Sequence, residues 1–134
     1  MLMVTPQGSI PAYVRARGGV RLVVGATGRG SAPLEVAESG GYRVRFAKAV
    51  ESCEGILINT GGGMAGGDHM AVDATVLMHA RATLTTQAAE KIYGSDGIET
   101  EISIKLVLEA GSRLDWLPQE QILFDEARLR RRLE

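Results

Sequence analysis

The stretch "VDATVLMHARATLTT", residues 72–86, sets the fold class. Val72, Ala74, Val76 and Met78 recur with period two, so an extended chain carries them on one face, the mark of a half-buried strand. The pattern breaks at His79-Ala80 and resumes as "RATLTT" (81–86). The plan then repeats in "ISIKLVL", where Ile102, Ile104, Leu106 and Leu108 share a face, followed by an Ala-Gly-Ser turn and "RLDWL" (113–117). "HARATL" at 79–84 therefore matches "EAGSRL" at 109–114 with a thirty-residue offset. Each unit reads strand, tight turn, strand. Two such hairpin-like units in succession imply stacked antiparallel layers, each covering its neighbour's apolar face.

Working outward, strands are expected at "VRLVV" (20–24), "YRVRF" (42–46), "GILIN" (55–59) and "ARLRRRL" (127–133). In "YRVRF", Tyr42, Val44 and Phe46 face one way and the two arginines the other. Glycine-rich turns, among them "TGRG", "SGG" and "SDG", separate the strands. Only "QAAEKIY", closed by Gly94, reads as a helix, of about two turns. The expectation is a mostly β fold of stacked antiparallel sheets or hairpin layers with one or two short helices. Residues 1–134 fit a single β-rich domain.

A formal net charge of -1 gives no field that would steer the molecule onto nucleic acid. The one basic cluster, "RLRRR" (128–132), reads as a solvated strand. Cys53 is the single cysteine, which excludes an intramolecular disulfide and a CxxC metal site and makes a reducing compartment the default. No apolar run reaches the roughly 20 residues of a membrane helix. "MLMVTPQGSIPAYVRARGG" also lacks the apolar core of a secretory signal. A cytoplasmic protein, with neither membrane nor nucleic acid as partner, is expected.

Chemistry concentrates in "INTGGGMAGGDHM" (58–70). A phosphate cradle needs converging backbone amides at a helix N-terminus, yet Asp68 follows Gly67 and a strand pattern follows Asp68. An enzyme domain binding a nucleotide or dinucleotide through the Gly61–Gly67 loop therefore stands only as the alternative reading. As a tight corner between strands, the glycines permit close approach and Asp68 bonds local amides. A metal reading draws on Asp68 and His69, with Asp73, His79 and Cys53 as the remaining ligand types. Neighbouring residues of a strand point opposite ways, so a weak or transit site fits better than a tight one. His79 reads as an exposed residue at a hairpin tip and Cys53 as a small buried or surface thiol. Asp115 and Glu120, flanking the tryptophan, read as solvated strand and turn carboxylates in preference to a glycosidase pair.

Three segments together resemble the UreD (UreH) urease accessory proteins. "NTGGGMAGGDHM" is similar to the family's Thr-x-Gly-Gly-x-x-Gly-Gly-Asp stretch, with Thr60, Gly62, Gly66 and Gly67 among the matched positions. "ATLTTQAAEKIYGS" resembles its Leu-Thr-Thr segment ending in Lys-x-Tyr, placing Thr85, Thr86, Lys91 and Tyr93. "GSRLDWLPQEQILFDEARLR" resembles its Leu-Glu-Trp-Leu-Pro-Gln-Glu block, with Asp115 for the usual Glu and with Trp116, Pro118, Gln119 and Glu120 matched. The resemblance runs from about Gly18 to the last residue. Family members are about twice as long, so it implies the N-terminal half of a longer chain, with an unpaired edge through which the fragment could self-associate.

What the resemblance implies is a non-enzymatic, cytoplasmic scaffold for maturation of the nickel enzyme urease. It would bind apo-urease, recruit UreF and through it the GTPase UreG, and help conduct nickel, with no tightly bound cofactor. Asp68, matching the charged position after the double glycine, is the implied contact for nickel in transit, with His69 only auxiliary. The bland reading of the tryptophan block is aromatic and proline packing at a sheet corner near a partner surface.

Overall fold

Period-two alternation becomes eleven strands among residues 16–48 and 51–134, the part of the chain that the computed structural model describes. Most of the amino-terminal stretch read for a secretory signal lies outside these residues. In chain order the strands are β1 (Arg17–Ala26), β2 (Ser31–Ser39), β3 (Tyr42–Phe46), β4 (Cys53–Asn59), β5 (His69–Val76), β6 (Arg81–Thr86), β7 (Glu90–Ile92), β8 (Thr100–Leu108), β9 (Arg113–Leu117), β10 (Gln121–Leu123) and β11 (Leu129–Leu133). The mostly β expectation holds.

The sense of pairing does not. Only β1 with β2 and β3 with β4 pair antiparallel. All other ladders are parallel: β1–β5–β8–β11 in one sheet, β4–β6–β9 in a second, and β7–β10 in a small third. The expected hairpin layers are thus corrected to coils. β5 and β6 flank a tight turn yet lie in different sheets, as do β8 and β9. The reason is that alternation states which face of a strand is buried and leaves its partner open. Arching between sheets lets the inward row Val72, Ala74, Val76 face the inward row Ala82, Leu84 across one core.

Three coils result. The first runs through β4, a bridge at Met64 and β5; the second through β6, β7 and β8; the third through β9, β10 and β11. Cys53, Ala82 and Leu114 stand side by side in one row and Met70, Ile102 and Arg131 in another, so each coil takes roughly thirty residues, within the usual range for solenoid repeats. The expected helix over "QAAEKIY" is absent: among the described residues there is no helix, and Glu90–Ile92 is β7. Here the Met64 amide donates to the Lys91 carbonyl, the Tyr93 amide to Met64 and the Phe124 amide to Ile92. Ladder bonds on both sides, together with full burial of Ile92, outweigh the weak propensity of a two-turn helix.

The core is graded along the coils. Near the arcs it holds small residues, Ala74, Ala80 and Ala82. Toward the other end Tyr42, Met64, Ile92 and Ile102 fill it. The arcs stack: His79 (φ 63°) and Gly111 (φ 70°) are both left-handed, and the His79 amide donates to the Ala110 carbonyl at 3.1 Å. His79 is exposed, as expected of a turn residue, though at an arc and not a hairpin tip.

Gly19 shows how closely β1 approaches β5. A Cβ there would lie 1.7 Å from the Ala71 carbonyl oxygen, whereas one on Gly28 would meet nothing within 4 Å. Gly19→Ala is expected to destabilise by about 3 kcal/mol or more and Gly28→Ala by less than about 0.5 kcal/mol. Urea unfolding of both variants checks this; equal midpoints would refute the close approach.

Candidate functional site

Away from the arcs, the inward rows diverge where the chain passes between sheets, and a cavity of about 210 Å³ opens. Val72, Ile102 and Ile104 give it apolar walls, and Tyr42, Asn59, Glu90, Trp116 and Arg131 bring polar groups. Tyr42 reaches it as the first inward residue of β3 and is 2% exposed. Its hydroxyl and the indole N–H of Trp116 are buried without a hydrogen-bond partner among the described residues. Buried polar groups are nearly always partnered, so these two are unusual, although neither atom is open to water-sized space in the cavity.

Glu90 supplies the carboxyl. The Asn59 side-chain amide donates to its two oxygens at 3.2 and 3.3 Å and also to the Gly63 carbonyl at 3.2 Å. Burial pushes the Glu90 carboxyl above its usual range, the Asn59 hydrogen bond opposes this, and the charge of Asp68 adds to the rise. The Tyr42 hydroxyl is pushed up to about 12, first by burial and then by the Asp68 and Glu90 charges. Both shifts favour the protonated form of each group, while Arg43 and Arg131 also line the cavity.

Asp68 is itself buried, 8% exposed. One carboxylate oxygen accepts from the Ala16 amide at 2.9 Å and the other from the Ala65 amide at 2.8 Å. It closes the turn from Ala65 to Asp68 and ties the start of β1 to the first coil. His69 begins β5, with Nδ1 3.6 Å from a carboxylate oxygen of Glu101 on the neighbouring β8. The structure thus gives the two expected metal contacts separate neighbours. Among the described residues no three His, Cys, Asp or Glu side chains converge as a metal group.

The glycine loop has little left for phosphate. The Gly61 amide bonds the Asn59 side chain, the Gly62 amide the Asn59 carbonyl and the Gly67 amide the Glu99 carbonyl. Strand β5 follows, where a cradle needs a helix. Gly62 and Gly67 have positive φ, and a Cβ on Gly66 would collide with Ser95 and the Ile98 carbonyl, so these glycines are set by turn geometry and packing.

Of the other motif residues, Gly62, Thr86, Trp116, Pro118 and Gln119 line the cavity. Thr86 Oγ1 accepts from the Gln119 amide, Thr85 Oγ1 donates to the Leu117 carbonyl, and Thr60 Oγ1 donates to the Gly41 carbonyl. Tyr93 packs on Gly63 and stacks edge-on against Phe124, with ring centroids 5.1 Å apart. Lys91 and Glu120 are exposed, the latter accepting from the Glu90 amide through its carbonyl. Cys53 is buried, 3% exposed, and its thiol is pushed up to about 11 by burial and the nearby Glu54 charge. Sequence reasoning missed Glu90, Asn59 and Arg131 as site residues. Arg131 was visible as the polar member of an inward row between Leu129 and Leu133. Glu90 was hidden by the helical reading of its segment.

Fold and site define a short parallel β-solenoid with a largely apolar cavity, carrying a few polar groups, between its sheets. The family described as UreD urease accessory protein matches residues 16–134. Urease accessory protein UreD of Xanthobacter autotrophicus is 47% identical over 120 residues, covering 90% of this chain and 42% of its own length. UreD 1 of Methylobacterium radiotolerans is 48% identical over 129 residues, covering 95% and 45%. UreD 3 of Methylorubrum extorquens is 50% identical over 126 residues, covering 90% and 42%. The chain belongs to the UreD urease accessory protein family, and it spans less than half the length of these relatives. They are named as accessory proteins and not as enzymes. No helix of the described residues is long and apolar enough to cross a membrane.

Two predictions follow from these environments. Asp68→Ala strands two backbone amides, so it is expected to lower stability by about 2 kcal/mol or more; an unchanged urea midpoint would show that the amides have other partners. The raised Cys53 and Tyr42 values mean that the folded chain holds protons the unfolded chain releases. The contribution of these two groups to stability should be level below about pH 9 and fall as pH rises toward 12. Tyr42→Phe should remove the upper part of that fall, which pH-dependent thermal melts would detect.

Proposed function

We propose that the protein containing this chain is a non-enzymatic urease maturation factor. It binds apo-urease and UreF, reaches UreG through UreF, and helps deliver nickel to urease in the cytoplasm. The family match over residues 16–134 carries the maturation role. The cavity supports nickel as transient cargo: a conduit must bind an ion strongly enough to admit it and weakly enough to release it. One carboxyl, Glu90, among amide and hydroxyl groups suits that better than a closed ligand cage.

In this reading Asp68 keeps the cavity end negative through its charge, which is felt at both Tyr42 and Glu90, while its oxygens hold backbone amides. His69, on the outer row of β5, is an auxiliary contact outside the cavity.

The discriminating variant is Glu90→Gln in the full-length protein, coexpressed with urease and its other accessory proteins. Urease nickel content and activity should drop several-fold. Folding should survive, because neutralising a buried carboxyl removes a cost. Folded-state Glu90 binds its proton more tightly than unfolded Glu90, so the gain should be present at neutral pH and vanish as pH falls below about 4. Normal nickel loading by a folded variant would remove the cavity from the route. Heat on calorimetric titration with nucleotides would favour the glycine-loop alternative.

A further inference from the structure

Strands β7 and β10 form a small two-stranded sheet whose outer face is aromatic. Ile92 is fully buried, so its neighbours Lys91 and Tyr93 point outward. Lys91 stands beside Ile122. The Phe124 amide donates to the Ile92 carbonyl, which continues the register and sets Phe124 beside Tyr93. Tyr93, Ile122 and Phe124 are 39%, 43% and 44% exposed. The aromatic pair is held in place: Tyr93 lies on Gly63, where a Cβ would come 2.7 Å from its ring, and its edge-on contact with Phe124 fixes the second ring. Large apolar side chains grouped on a surface and rimmed by polar residues mark an interaction site.

Carboxylates form that rim. By alternation Glu120 shares the outward row of β10 with Ile122 and Phe124. Asp125 and Glu126 follow Phe124, and the Ser95 amide donates to the Glu126 carbonyl, which lays this turn against the loop that carries Asp96. All of these acidic side chains are exposed, and none forms an ion pair among the described residues. The basic groups nearby are Lys91 and Arg128, and the Arg128 Nε donates to the Ser95 carbonyl at 3.0 Å. Acidic charge therefore prevails around the rings.

From this arrangement we propose that the Tyr93–Phe124 face docks a segment of another protein that presents an arginine between apolar residues. A guanidinium can lie on an aromatic face and hydrogen-bond a carboxylate through its edge at the same time, whereas an ammonium is a compact, strongly hydrated point charge. The apolar neighbours of that arginine cover Ile122 and the rings, and the unpaired carboxylates orient the segment. The same carboxylates repel phosphate, which argues against a nucleic acid or an anionic membrane. The face lies outside the solenoid and the cavity inside it, so docking and the nickel route stand or fall separately.

Two blocked peptides, Leu-Arg-Ile-Arg-Leu and the same sequence with neutral citrulline for arginine, test the proposal on the 134-residue chain by NMR titration at low salt. The arginine peptide should shift the amide signals of residues 91–94 and 122–126 and bind at least about threefold more tightly than the citrulline peptide. Phe124→Leu should lower its affinity by a similar factor, and so should Asp125→Asn combined with Glu126→Gln. These side chains are exposed, so both variants should keep the dispersed spectrum of the folded chain. Equal affinity for the two peptides, undiminished affinity in either folded variant, or shifts confined to other surfaces would overturn the proposal. So would a dimer in sedimentation that Phe124→Leu dissociates, because the occupant would then be a second copy supplying its own arginines at 128–132.

Discussion

The parallel ladder between successive coils is the constraint on which the rest of this structure depends. From β4 onward, a strand's backbone groups are satisfied chiefly by strands one coil away, roughly thirty residues off in sequence. Inward residues must then match row by row, as Val20, Val72, Ile104 and Leu133 do. The connections absorb slack, so Cys53 to Ala82 and Ala82 to Leu114 differ in length while keeping register. Such distant pairing closes large loops before it gains contacts, which makes folding slow compared with a hairpin protein of equal size. It also leaves an edge wherever coils stop.

The two ends of each coil meet that constraint differently. At the arcs, small residues and left-handed turns let the sheets close on one another, and the His79 imidazole lies where a Cβ on Gly111 would be, 2.5 Å from its Nδ1. At the far end the connections are longer and their side chains larger, and these fill the space between the sheets only in part. Asp68 holds this end by drawing the Ala16 and Ala65 amides onto one carboxylate. Its charge is also part of what raises Tyr42 and Glu90, so one residue sets both the local backbone and the potential of the cavity.

Much of this was legible in the sequence because side-chain alternation is local. Tyr42 and Val44, Val72 to Val76, and Ile102 to Ile104 are buried as their spacing requires. The repeat was also real, although the register sets Ala82 beside Leu114 and Leu84 beside Trp116, shifted by two residues from the thirty-residue match, and it marks coil on coil where hairpins were expected. Period two carries no information on whether a turn joins strands of one sheet or of two. Glu90 was lost for a related reason: a three-residue strand has too few positions to show a period, and its helix-forming neighbours dominate the reading. The family motifs did lead to the cavity wall through Thr86, Trp116, Pro118 and Gln119, although they did not point to its carboxyl.

A carboxyl raised by burial is poised for the proposed cargo. Burial disfavours the charged form of Glu90, and a nearby cation favours it. The Asn59 amide, bonded to both carboxyl oxygens, competes with the ion for the same lone pairs and keeps binding weak. Weak ligation follows from placing one carboxyl inside a solenoid that otherwise packs aliphatic rows.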